Sequence, residues 1–304
     1  MDGFRIPVGD WAEAVVEFLT DTLGGFFAVI RTIFDGFYDG LEAVLTVPPF
    51  WIVILALAAV AWLAKGWKFA VGTAVGLLVI VGVDQWENAM STLALVLVAS
   101  LVAIAIAIPV GILAARSDAA SRVIRPILDF MQTMPAMVYL IPALILFRVG
   151  VVPGIIATIV FAMAPGVRLT ELGIRGVDRE VVEAGQAFGS SPGRILRQIQ
   201  LPLAMPSIMA GVNQVIMLAL SMVVIAGMVG AGGLGGQVVQ SLGRIDVALG
   251  FEAGLSVVIL AIILDRATGA FGNGWTAPWT RRKAASKQDV APSPVPEREP
   301  ALVA

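Results

Sequence analysis

Seven apolar runs lie along the chain, near residues 48–64, 67–83, 90–115, 127–147, 151–170, 205–230 and 248–265, with polar residues gathered between them. A helix needs roughly 17 to 25 mostly apolar residues to cross a hydrocarbon core of about 30 Å. The pattern predicts about seven transmembrane helices. Only Lys65-Gly66-Trp67-Lys68 separates the first two runs, which predicts a tight helical hairpin. One long bent helix would instead hold two lysines at membrane depth, which is costly. Ahead of the first run, Val15, Phe18 and Leu19, then Phe26, Ile30, Ile33 and Phe37, recur at helical intervals broken by Gly24-Gly25. These are two amphipathic helices, either lying on the outer membrane surface or packed on the protein's own membrane domain. Residues 273–304 are polar and proline-rich, the composition of a disordered tail.

Composition sharpens this picture. Of 304 residues 58% are hydrophobic and 14% charged, and mean hydropathy is +0.91, against an apolar share of about half in soluble domains. The fold class is an all-α, polytopic membrane helix bundle. The chain has no Cys and no His, which removes thiolate chemistry, disulfides, the usual transition-metal sites and the commonest general base. A net charge of −2 gives no basic balance for nucleic acid. The start, MDGFRIPVGD, lacks the order of a signal peptide, so the spans themselves are expected to direct insertion.

Charge sets the orientation, because basic loops stay on the cytoplasmic side. Alternate loops hold Lys65 and Lys68, then Arg116, Arg122 and Arg125, then Arg168, Arg175, Arg179, Arg194 and Arg197, then Arg281, Arg282 and Lys283 in the tail. The complementary loops hold only Arg148 and Arg244, with Asp84 and Glu87 lacking a basic neighbour. The expected topology has the amino terminus outside and the carboxyl terminus in the cytoplasm. The acidic segment 1–47 is then extracytoplasmic.

The largest cytoplasmic loop, 171–204, contains EAGQAFGSSPGRILRQIQLP. Asp178 is a helix N-cap in this reading, for a helix running to Phe188 that Gly189 ends in the left-handed region. Ser191-Pro192 opens a second helix, which Pro202 interrupts. Val182, Ala184, Ala187 and Phe188 offer a small-residue surface suited to a partner's groove. Glu183, Ala184, Gly189, Ile199, Leu201 and Pro202 stand at the spacing of the cytoplasmic signature of ABC importer permeases, which the chain resembles. Gly185 replaces the signature's second Ala, loosening that helix by up to about 1 kcal/mol. Residues 132–147, QTMPAMVYLIPALILF, and 230–266, beginning GAGGLGG, resemble permeases for glycine betaine, proline and related osmoprotectants. With the loop, the resemblance spans roughly residues 50–270.

The resemblance implies a type I ABC importer permease of the bacterial cytoplasmic (inner) membrane, working as a homodimer. It further implies cytoplasmic ATPase subunits, which bind ATP and magnesium, and an extracytoplasmic substrate-binding protein. No cofactor or metal is expected in the chain itself, and no catalytic residue. Glu183, Ala184, Gly189, Arg194, Ile199, Leu201 and Pro202 would form the surface docking the ATPase. Residues 48–270 would be the permease domain and 271–304 its cytoplasmic tail. GAGGLGG has no following Lys-Ser/Thr and is not a phosphate loop.

For the pathway, Ser207, Gln214 and Ser221 recur every seven residues on one face of the sixth run, either toward solute or toward a neighbouring helix. Asn213 lies about 100° round that helix. Met134, Met137 and Tyr139, in a stretch that Pro135 and Pro142 can kink, offer a second lining or a packing stripe. Alternatives are an ABC permease for an amino acid such as methionine, and an ion-coupled secondary transporter. The latter uses intramembrane acids, whereas Glu171, Glu252 and Asp265 all stand near run ends.

Overall fold

The computed structural model describes residues 7–274, and among them all regular structure is helical. The described residues up to Gly272 form one compact unit. Of the predicted disordered tail, 273–304, Asn273 and Gly274 are the last residues of α12, and residues 275–304 lie outside the described residues. In chain order the helices are α1 (Val8–Thr46), α2 (Phe50–Lys65), α3 (Trp67–Gly82), α4 (Trp86–Arg116), α5 (Asp118–Thr133), α6 (Leu140–Phe147) and α7 (Val151–Arg175). Then come α8 (Arg179–Ala187), α9 (Pro192–Ile195), α10 (Leu201–Ala226), α11 (Gly233–Arg244) and α12 (Val247–Gly274).

Four helices are each long and apolar enough to cross a membrane: Trp86–Arg116, Val151–Arg175, Pro192–Val229 and Val247–Ala270. Two bent pairs qualify when each is taken together, α1 with α2 and α5 with α6, and Trp67–Gly82 is a shorter apolar helix. By length and composition this makes four to six spans where about seven were expected: six of the predicted runs each centre on one helix, and the 127–147 run is divided between α5 and α6. α2 and α3 have 16 residues each and meet at Gly66, whose φ of 89° reverses the chain as the expected hairpin requires.

Two proline expectations need correction. The 127–147 run is not one helix: α5 stops at Thr133, Met134 is extended ahead of Pro135, and the chain restarts in a 3₁₀ turn, Ala136–Tyr139. Proline disfavours helical backbone in the residue before it, and here the two halves diverge by 107°. Pro202, conversely, does not end its helix. A π turn, Leu196–Gln200, passes directly into α10, and such a wide turn accommodates a proline that cannot donate.

Small residues set the centre of the bundle, where α7 is held between α4 and α10. A Cβ on Gly111 of α4 would stand 2.6 Å from Thr170 Cβ, and one on Gly166 of α7 would stand 2.9 Å from a Val215 methyl and 3.0 Å from Ala107 Cβ. Close backbone approach of this kind gives membrane helices their van der Waals attraction. The expected pair of amino-terminal helices is present within α1, joined across a non-helical kink at Leu23, one residue before Gly24-Gly25. Beyond the kink it packs on the bundle: Tyr38 and Leu45 are buried, and the Phe27 and Phe147 rings meet edge-on at 5.5 Å.

Candidate functional site

The segment between α7 and α10 folds as a helical hairpin on short-range signals. Asp178 Oδ1 accepts from the Glu180 N–H at 3.0 Å, capping α8. At the other end Ser190 N–H reaches Gly185 O at 3.1 Å and Gly189 N–H reaches Gln186 O at 2.8 Å, with Gly189 at φ 72°. That pair of bonds is a Schellman termination, which needs a left-handed residue at this place. Ser191 is extended and Pro192 opens α9, although the Ser191 side chain makes no cap bond.

The hairpin closes on Gly185, the buried residue of α8. A Cβ there would stand 2.8 Å from Ile199 Cδ1 and 3.5 Å from Ile195 Cγ1. The departure from the signature thus sits where α8 lies closest to the next helix. Ile195 and Leu196 are buried, and Ile199 and Leu201 half-buried; Ile195 and Ile199 close the hairpin on Gly185, while Leu196 and Leu201 pack with Ile174 of α7. Glu183, Ala184, Ala187 and Gly189 are exposed, and Phe188 is 90% exposed. Val182, expected on the same surface, is turned partly inward. Arg194 and Arg197 are exposed and line, with Arg116, a groove of about 510 Å³. Pro202 is exposed just beyond it.

The pathway candidates differ in their surroundings. Met134, Met137 and Tyr139 stand at the break between α5 and α6, with Met137 exposed and the others half-buried. Tyr139 donates its hydroxyl to Met131 O, and its ring lies 6.2 Å from that of Phe161. Gln214 and Ser221 are exposed on α10, the Ser221 hydroxyl donating to Met217 O at 3.0 Å. Ser207 does not share their surroundings: it is half-buried, and its Cβ would stand 2.7 Å from one on Gly173 of α7. A seven-residue repeat drifts by about 20° per step on a straight helix, and the first serine falls into the α7 contact. Asn213, which the periodicity set aside, bridges helices: its Nδ2 donates to Asp265 Oδ1 at 2.9 Å, and its Oδ1 accepts from Thr268 of α12.

Sequence reasoning also missed an ionic cluster at the base of the hairpin. Glu171, only 3% exposed, accepts from Ser121 Oγ at 2.7 Å and from Arg125 Nη2 at 2.9 Å, and Arg175 Nε lies 3.1 Å away. Arg175 also donates to Asp118 Oδ1 at 2.7 Å and to Ala114 O at 2.8 Å. Its one local signal was the Glu171–Arg175 spacing of four at the end of an apolar run. Among the described residues no group of three or more His, Cys, Asp or Glu stands ready for a metal. The glycine-rich GAGGLGG stretch packs against α4, with Leu234 N–H donating to Thr92 Oγ1 at 2.8 Å.

A bundle of close-packed apolar helices, several long enough to cross a membrane, with a polar hairpin at one end, has the architecture of an integral membrane component. Residues 107–276 match the family of binding-protein-dependent transport system inner membrane components, and the chain belongs to that family as a multi-pass inner-membrane protein. Among its relatives, the glycine betaine/carnitine transport permease protein GbuB of Listeria monocytogenes is 49% identical over 270 residues, covering 88% of this chain and 95% of that one. The glycine betaine/proline betaine transport system permease protein ProW of Escherichia coli is 46% identical over 277 residues, covering 91% and 78%. The fold is shared with an inward-facing structure of the MetNI methionine ABC transporter, with TM-score 0.59 and 23% identity over 63% of this chain and 96% of that one.

Proposed function

We propose that this chain is the permease subunit of an ATP-driven importer for glycine betaine, proline betaine and chemically similar compatible solutes. The observation that carries the proposal is the α8–α9 hairpin, whose signature residues Glu183, Ala184 and Gly189 are exposed while Ile199 packs behind them on Gly185. The cargo follows the relatives, which match nine-tenths of the chain at close to half identity. Likeness to a methionine transporter concerns the fold alone and does not favour methionine.

In this reading the hairpin enters a cleft of a cytoplasmic ATPase subunit, with Glu183 as a polar contact, Gly189 fixing the turn, and Arg194 and Arg197 meeting acidic groups. ATP and magnesium are held by that subunit, and no cofactor by this chain. Two copies enclose one pathway, and the exposed positions Leu203, Pro206, Ala210, Gln214 and Ser221 on α10 support a face turned to the second copy and the solute. Positive-inside charge supports an amino terminus outside and a carboxyl terminus in the cytoplasm. A quaternary ammonium is captured by aromatic side chains; this chain has only two tyrosines, and most of its seven tryptophans stand near the ends of apolar runs or in the tail. Capture falls to an extracytoplasmic binding protein. The pathway need only pass a neutral solute, because a ligand held equally in both facing states shifts neither.

The test is uptake of radiolabelled glycine betaine into proteoliposomes holding this chain, its cognate ATPase and its binding protein. ATP-dependent uptake that Glu183→Lys abolishes without loss of membrane assembly is the expected result. Uptake driven by an ion gradient without the ATPase would overturn the mechanism. ATP-driven movement of another solute with no betaine would overturn the cargo.

A further inference from the structure

We propose that Glu171 is a positioning residue that clamps the hairpin's stem to α5, so that α5 and its break at Met134-Pro135 follow the hairpin as one body. The inference rests on the permease reading above. Glu171 lies four residues before Arg175, the last residue of α7, and the capped start of the hairpin follows at Asp178. Its carboxylate is withdrawn from solvent, and a buried charge is retained only where paired and hydrogen-bonded. The partners come from outside its own helix: Ser121 at 2.7 Å and Arg125 at 2.9 Å, both on α5. Arg175 then bridges to Asp118 at the first turn of α5 and to the carbonyl of Ala114 at the end of α4.

The clamp is continued along the same pair of helices. Arg168 of α7 pairs with Asp129 of α5, and Leu128 and Met131 of α5 are buried together with Ala164 and Val167 of α7. The last full turn of α5 ends at Thr133, directly before the break. A displacement of the hairpin therefore reaches Met134 and Met137 through side-chain bonds rather than along the chain, which would have to pass back through all of α7 and α6. Beside the clamp a crevice of about 340 Å³, lined by Arg125, Asp129, Arg168, Glu171, Leu172 and Arg175, leaves room for these groups to re-pair.

The experiment compares wild type, Glu171→Gln, Arg125→Gln and the double variant in proteoliposomes with the cognate ATPase and binding protein, measuring ATP hydrolysed per solute imported. Each single variant is expected to keep hydrolysis within about twofold while the ATP consumed per solute rises at least tenfold, with the double variant no worse than either single. Hydrolysis and uptake falling in parallel, or an unchanged ratio, would overturn the proposal. Should Glu171→Gln fail to assemble, Ser121→Ala, which removes one neutral donor, is expected to shift the ratio in the same direction, and its failure to do so counts against the clamp. A second readout is independent of cargo. Because the chain has no cysteine, spin labels at Gln132→Cys on α5 and Gln186→Cys on α8 report their separation directly. That separation is expected to be unaffected by nucleotide with Glu171 in place and to become nucleotide-dependent in Glu171→Gln. A wild type that ignores betaine but keeps this label behaviour would refute the cargo and leave the clamp standing, and a separation that changes with nucleotide in wild type would refute the clamp.

Discussion

Gly189 gives a graded test of the hairpin. Its φ is 72°, and a Cβ built on it meets nothing within 4 Å, so a substitution is penalised by backbone conformation and not by crowding. An L-residue in the left-handed region costs roughly 1–2 kcal/mol, with Asn tolerated better than Ala. Proline is fixed near φ −65° and has no N–H; it would lose the 2.8 Å bond to Gln186 O together with the turn. If the ATPase binds only the turned hairpin, affinity falls in proportion to the fraction still turned. At about 1.4 kcal/mol per factor of ten, Gly189→Ala weakens ATPase binding by at most about thirtyfold. The packing of Ile195 and Ile199 on Gly185 opposes the loss, which brings the expected weakening to about two- to fivefold for Ala, near unity for Asn and beyond tenfold for Pro. Binding of the cognate ATPase to the permease in nanodiscs, measured by interferometry, with betaine uptake in parallel, checks this order. Ala and Asn weakening binding equally, or Pro binding as wild type does, would refute the argument that the left-handed turn is what the partner reads.

Two further outcomes follow from the packing. Gly111→Ala places a methyl group 2.6 Å from Thr170 Cβ and 2.8 Å from Val167 O; overpacking of about 1–3 kcal/mol exceeds the helix-propensity gain of up to about 1 kcal/mol, so the melting temperature in detergent is expected to fall, and an unchanged or higher value would contradict the α4–α7 contact. Of the three polar positions once grouped on α10, Gln214→Cys and Ser221→Cys are expected to react with a water-soluble maleimide in the reconstituted protein, while Ser207→Cys, packed on Gly173, reacts at least tenfold more slowly by our estimate from the restricted access of buried thiols; equal rates would restore the common face.

What the sequence made legible was local. The length of each apolar run located the helices, and Asp178, Gly189 and Ser191-Pro192 marked the hairpin's ends because caps are settled within four residues of where they act. Prolines were read less well, since their effect depends on what the neighbouring turns can absorb: Pro109, Pro126, Pro165 and Pro206 all sit inside helices, Pro202 follows a π turn, and Pro135 breaks the chain. The polar bonds that were missed are of another kind. Ser121 and Arg125 lie 50 and 46 residues from Glu171, and Asp265 lies 52 from Asn213, far beyond any helical period. In a bundle whose helices attract one another mainly through close van der Waals contact, such bonds are the few directional links between elements. In the proposed clamp these bonds tie helix ends together, and they belong to the part of the sequence that periodicity does not read.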